Sequence, residues 1–179
     1  MSAWKDDGSL LRMTSLGSDA APLHTKRLRL VACTVEEIHA EIELMNALER
    51  AQLSADWLAR VRVTTNVDPW VLGFFLVHNL TGDAVGRCGF KGPPDSDGMV
   101  EIAYGIAPEH QNNGYATEAA AALVDYAFAS PDVRVVRAHT FEEANASARV
   151  LGKCKFRSVG KVIDPEDGPV WRWEIHQLG

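Results

Sequence analysis

Apolar positions change period several times along the chain, and each change marks an element. Leu28, Leu30 and Ala32 alternate with Arg27, Arg29 and Val31, which predicts a first strand over residues 27–33. Thr34 and Glu37 then stand three apart as a capping box, in which the Thr34 hydroxyl takes the Glu37 N–H. Ile38, Ile42 and Met45 follow at i, i+4 and i+7, so an amphipathic helix is expected from 34 to about 53. A shorter helix is expected over 54–60, running on toward 63. Residues 70–79 are apolar on both faces, the pattern of a strand in the centre of a sheet. Thr81-Gly82-Asp83 is a turn signal, and the strand pattern returns over 84–90, giving a hairpin. A Gly/Pro/Asp loop fills 92–98, and 100–106 is the next strand.

Ala116, Ala120, Leu123 and Ala127 recur at helical spacing within 114–130, giving a small-residue face, and Pro131 stops the helix. Residues 133–141 read as a strand. The unit from 100 to 141 is thus β-loop-α-β, a crossover that makes its two strands parallel and right-handed. Asn145 can cap a helix over 146–154, and 157–162 and 170–177 close the chain as a hairpin around Asp164 to Gly168. The expected fold is one α/β domain, a mixed and mostly antiparallel sheet flanked by helices, over residues 23–179. Residues 1–22 lack periodicity and read as an irregular extension.

Composition narrows the function classes. Hydrophobic residues make up 46% and charged residues 23%, as in an ordinary globular protein, and the net charge is −6. An acidic chain argues against general nucleic-acid binding, which rests on a basic surface. A small phosphorylated ligand held by backbone amides stays open, and an acidic surface favours amine-bearing partners. Apolar runs fall short of the ~20 residues of a membrane helix, so no membrane partner is expected. Cys33, Cys88 and Cys154 form no CxxC pair and read as reduced thiols of a cytoplasmic protein; the six histidines show no metal-ligand spacing, so no metal is expected.

The candidate chemistry centres on Gln111, Asn112, Asn113, Gly114, Tyr115, Ala116 and Thr117. This loop joins a strand end to a helix start, where unpaired N–H groups and the helix dipole suit a phosphate. Gly114 and Ala116 let such a ligand approach the backbone closely.

Three stretches carry a family resemblance: residues 25–30 (TKRLRL), 101–119 (EIAYGIAPEHQNNGYATEA) and 145–156 (NASARVLGKCKF). They resemble, in order, the opening strand, the acetyl-CoA motif and the second motif of the GCN5-related N-acetyltransferase (GNAT) superfamily. Within it, the chain is similar to the subgroup that acetylates ribosomal-protein N-termini. Gln111, Gly114 and Ala116 occupy the marker positions of the family's Q/R-x-x-G-x-G/A loop. Two departures stand out. Asn145 precedes Ser147 by two residues where three is commoner, and Lys155 replaces the usual glycine before Phe156. Glycine there would serve a left-handed helix end.

The resemblance implies transfer of an acetyl group from acetyl-CoA to an amine, on a small molecule or a protein N-terminus. It places the diphosphate on residues 111–117, and the pantetheine arm beside the backbone of Ile106 and Ala107, with a strand bulge at Tyr104-Gly105. Asn145 is either a pantetheine contact or a helix cap. Glu101 and His139 are rival candidates for the general base, with a solvated carboxylate and a packed histidine as the plain alternatives. Glu142 and Glu143 could form an acidic mouth. Ser147 is the candidate proton donor to the departing thiolate, or a first-turn serine bonded to local N–H groups; Tyr104 and Tyr115 rank below it. Cys154 falls in the apolar pattern of its helix and reads as a core thiol. Two other classes compete: a CoA-binding sensor without catalysis, and an unrelated mononucleotide-binding α/β protein, which lacks a Walker lysine and GxGxxG here. Oligomeric state is not legible; a homodimer is compatible with the chain.

Overall fold

A computed structural model of the chain describes residues 21–51, 53–141, 145–165 and 167–177. The expected extension over 1–22 therefore lies almost wholly outside the described residues. Two short antiparallel strands open the fold, β1 (Leu23–His24) and β2 (Leu28–Ala32). Helix α1 (Val35–Leu44) starts at the expected capping box, with Thr34 Oγ1 accepting from Glu37 N–H and the Glu37 carboxylate accepting from Thr34 N–H at 2.8 Å. It is shorter than its apolar period suggests. Asn46 accepts from the N–H groups of Leu48 and Glu49 and starts a second helix, α2 (Ala47–Arg50). A local cap competes with helix continuation, and here it wins. Helix α3 (Ala55–Val63) follows, capped by Ser54.

The apolar run over 70–79 is only half strand. Asp68 Oδ1 accepts from Trp70 N–H at 3.0 Å, Pro69 takes the first helical position, and α4 (Pro69–Leu72) forms a single turn. Gly73, at φ 71°, ends it and feeds β3 (Phe74–His78). Period alone cannot separate a buried helical turn from a buried strand; the Asp-Pro pair decides it. The remaining elements are β4 (Ala84–Phe90), β5 (Met99–Ile106), α5 (Tyr115–Phe128), β6 (Val135–Thr140), α6 (Asn145–Lys153), β7 (Arg157–Asp164) and β8 (Gly168–His176).

The strands form one eight-stranded sheet in the order β1-β2-β3-β4-β5-β6-β8-β7. Every pairing is antiparallel except β5 with β6, as the crossover requires. The bulge expected at Tyr104-Gly105 is absent from the ladder with β4, which runs without a shift from Phe90↔Ile102 to Gly86↔Ile106. A register shift falls instead between Leu76 and Val77, where β3 meets β4.

Strand alternation divides the core. On one face Leu28, Leu30, Leu76, Val100, Ile102 and Ile106 pack against Ala119, Ala120, Leu123 and Ala127 of α5. Alanines at the contact let the helix sit close to the sheet. On the other face Val31, Cys33, Phe75 and Val77 pack against Ile38 of α1 and Trp57 and Val61 of α3. Buried Arg87 reaches from β4 on this second face to the Glu41 carboxylate on α1.

Candidate functional site

Strands β5 and β6 pair over only three residues, Met99↔Val135, Val100↔Val136 and Glu101↔Arg137. Beyond Glu101, β5 stays paired with β4 while β6 stays paired with β8. The sheet therefore opens between them. Ala107 N–H donates to Val85 C=O (3.0 Å) and Lys91 N–H to Glu101 C=O (2.9 Å). Odd-numbered groups of β5 are thus turned toward β4, and ladder alternation leaves the N–H groups of Tyr104 and Ile106 on the open side. Of the two backbone positions proposed for pantetheine, Ile106 presents its N–H to the opening, while the N–H of Ala107 is already bonded.

The open edge leads to the 111–117 loop. Gln111 Nε2 donates to Ile106 C=O at 3.0 Å, tying the loop back to the strand. Asn112 takes φ 62° and Gly114 φ 81°. Gly114 is the N-cap of α5, and no side chain caps that helix. The first-turn N–H groups of Tyr115, Ala116 and Thr117 have no intrahelical acceptor by helix geometry. The Asn113 amide is not available to a ligand: Nδ2 lies 3.0 Å from both His110 C=O and Gln111 C=O.

Two residues missed in the sequence frame this loop. Glu118 accepts from Thr25 Oγ1 (2.7 Å), Arg27 N–H (2.6 Å) and Arg27 Nε (2.9 Å). Arg27 Nη1 in turn donates to Asn113 C=O at 2.8 Å, and the guanidinium lies 4.8 Å from the Tyr115 ring centroid. Burial alone would raise the Glu118 carboxyl, but the Thr25 and Arg27 hydrogen bonds outweigh it and hold it below its usual value. The resemblance already singled out both stretches, yet their contact joins positions 91 apart.

The rival bases are a hydrogen-bonded pair. Alternation puts Glu101 and His139 on the α1/α3 face, at the point where β5 and β6 part. His139 Nδ1 lies 3.1 Å from Glu101 Oε1 and 3.6 Å from Asp164 Oδ2, and Arg172 Nε lies 3.4 Å from His139 Nε2. Lys91 Nζ lies 2.8 Å from Glu101 Oε1. Burial by itself would raise the Glu101 carboxyl, but the bonds from His139 and Lys91 dominate and lower it. Glu101 is therefore an ionised carboxylate at neutral pH.

The opposite face carries the hydroxyls. The buried Tyr104 Oη has no hydrogen bond of normal geometry among the described residues. Burial pushes this phenol up, and neighbouring Ser147 on α6 only partly offsets that. Cys154 is half-buried with its Sγ 3.4 Å from Thr117 C=O, and burial raises its pKa, so it is a packed thiol. Helix α6 begins at Asn145 itself; the Asn145 side chain, and Glu142 and Glu143, lie outside the described residues.

An open strand edge running into an uncapped helix N-terminus is what the family resemblance requires. A family model described as "Acetyltransferase (GNAT) domain" matches residues 14–157. The chain belongs to the GNAT acetyltransferase family. Curated relatives include the N-acetyltransferase p20 of Bacillus licheniformis, described as uncharacterized, 30% identical over 93 residues. Another is the similarly described YjdG of Bacillus subtilis, 31% identical over 93 residues. The matched segment covers 52% of this chain and 52% of p20, and 53% of YjdG, about half of each. Among solved structures, a GNAT-family acetyltransferase from Bacillus anthracis superposes at TM-score 0.61 with 19% identity, over 87% of this chain and 98% of that one. The aminoglycoside acetyltransferase AAC(6')-Ib, in complex with coenzyme A and kanamycin, gives TM-score 0.58 and 22% identity over 84% and 94%. At such identities the likeness concerns the fold. Among the described residues no helix is long and apolar enough to cross a membrane.

Proposed function

We propose that the protein is an acetyl-CoA-dependent N-acetyltransferase that acetylates a primary amine by direct attack in a ternary complex. The observation carrying this is the gap between β5 and β6, which runs from the Glu101–His139 pair at one end to the uncapped N-terminus of α5 at the other. Its parts fit the coenzyme. With the Gln111 N–H bonded to Pro108 C=O, the backbone N–H groups over 112–117 would hold the diphosphate, and the N–H groups of Ile106 and Tyr104 that face the gap would pair with pantetheine in the manner of an added strand. Bound acetyl-CoA supplies an activated acetyl thioester.

The chain's own groups then manage the protons. The acceptor amine reaches the α1/α3 face and loses a proton to the Glu101–His139 pair. Ionised Glu101 accepts from His139 Nδ1–H and fixes the ring, so the amine proton goes to His139 Nε2, from which Arg172 Nε, 3.4 Å away, must first withdraw. Lys91 holds Glu101 in place. On the opposite face Ser147, with Tyr104 beside it, donates a proton to the leaving thiolate. The acceptor is a small-molecule amine or a protein N-terminus; that AAC(6')-Ib was solved with an aminoglycoside makes amino sugars a sensible first panel.

A thiol-release assay with acetyl-CoA over amino sugars, polyamines and N-terminal peptides tests this reading. Turnover on at least one amine is expected. Tight CoA binding with no turnover on any acceptor would make the protein a CoA sensor.

A further inference from the structure

We infer that Arg27 and Glu118 form a charge-neutral clamp that positions the coenzyme loop, with Arg27 serving as a positioning residue and not as a phosphate ligand. The inference rests on the acetyl-CoA reading above and assigns part of that site's affinity to residues outside the loop.

A carboxylate in the first turns of α5 sits close to where a diphosphate would bind and, alone, would repel it. Glu118 is instead surrounded by donors: the Thr25 hydroxyl, the Arg27 backbone N–H and the Arg27 guanidinium, at 2.6–2.9 Å. Its charge is neutralised, and so is that of Arg27. The pair thus adds little net field to the loop.

What the pair adds is geometry. Arg27 Nη1 draws the Asn113 carbonyl toward itself. Gln111 Nε2 holds the Ile106 carbonyl, and Asn113 Nδ2 holds those of His110 and Gln111. Each of these carbonyls is thereby given an internal donor. A carbonyl facing a phosphate would be repulsive, so fixing the carbonyls inward leaves the N–H groups for the ligand. The clamp also anchors the segment between β1 and β2 to the N-terminus of α5. A Cβ added at 114 would lie 3.3 Å from Arg27 Nη2, close enough that the guanidinium would have to give by a few tenths of an ångström.

The test measures CoA binding by calorimetry and acetyl-CoA kinetics in R27K, E118Q and T25V, with circular dichroism to confirm folding. R27K keeps the charge but loses the planar fork. It should raise the Kd and KM for the coenzyme about tenfold, as expected for loosened charge-assisted hydrogen bonds, with a much smaller fall in kcat. E118Q should shift both in the same direction, because it frees Arg27 from its anchor. T25V should give a smaller rise. If E118Q instead tightens coenzyme binding, the released guanidinium is a phosphate ligand and the clamp is refuted. Folded variants that bind CoA as wild type does would also refute it. Wild type that fails to bind CoA overturns the acetyl-transfer reading and the clamp with it.

Discussion

Gly114 shows how much one position can decide. Its φ of 81° lies in the left-handed region, which costs other residues about 1–2 kcal/mol. A side chain there would also press on the Arg27 guanidinium. Gly114→Asp should abolish CoA binding in a protein that still folds, since it adds strain and a negative charge at the diphosphate site; calorimetry gives the answer. Glu101 carries a second prediction. Its carboxyl pKa is lowered in the folded state, so its contribution to stability is complete above the unfolded value of ~4.3 and is lost as pH falls through the folded value. Glu101→Gln should therefore destabilise at pH 7 by about 1–3 kcal/mol, the cost of replacing the charged acceptor of Lys91 and His139 with a neutral amide. Denaturant titrations should show the gap to wild type closing below pH ~4. In activity, His139→Gln should lower kcat/KM about a hundredfold or more if the imidazole takes the amine proton. A change under threefold would move the base elsewhere. At this scale the loop residues were readable, because local backbone chemistry restricts them. Arg27 with Glu118, and His139 with Glu101, were visible as residues but not as pairs, because contacts across 91 and 38 positions leave no local pattern.

At the scale of elements, the helix end at Lys155 is the most informative departure. Lys155 N–H donates to Gly152 C=O (3.1 Å) and Phe156 N–H to Leu151 C=O (3.0 Å), the two bonds of a Schellman cap. Lys155 occupies its left-handed position, at φ 66°. The family's usual glycine is absent, yet the geometry it serves is kept, with a lysine under strain. Lys155→Gly should stabilise the protein by about 1 kcal/mol, after allowing for the greater freedom of glycine in the unfolded chain. That is a rise in Tm of about 2–4 °C for a domain of this size; a fall in Tm would mean the lysine side chain contributes more than the strain removes. The capping box at Thr34 was legible because three or four adjacent residues determine a cap. Helix continuation past Leu44 and the strand beginning at Trp70 were misread because hydrophobic period was given more weight than Asn46 and Asp68-Pro69.

At the scale of the whole sheet, the described strands form one eight-stranded array that opens where β5 and β6 separate. Backbone groups left unpaired along that edge are a standing deficit that a bound strand-like ligand would remove. CoA at a hundred times its Kd should stabilise the fold by about 2.7 kcal/mol. A thermal scan should then show Tm rising by roughly 5–10 °C, and the increment should be largely lost in Gly114→Asp. By itself the sequence determined the strands from β2 onward, the long helices, the parallel crossover and the family, and it raised the expectation that the 111–117 loop binds a phosphate. All of these depend on neighbours in the chain or on a pattern repeated within one element. Only the tertiary structure decided where the sheet opens, that the two candidate bases form one pair, and that the 111–117 loop is held by Thr25 and Arg27 just before β2. Those features arise from strand register and from side chains meeting across the sheet, and neither is written in the spacing of residues along a single segment.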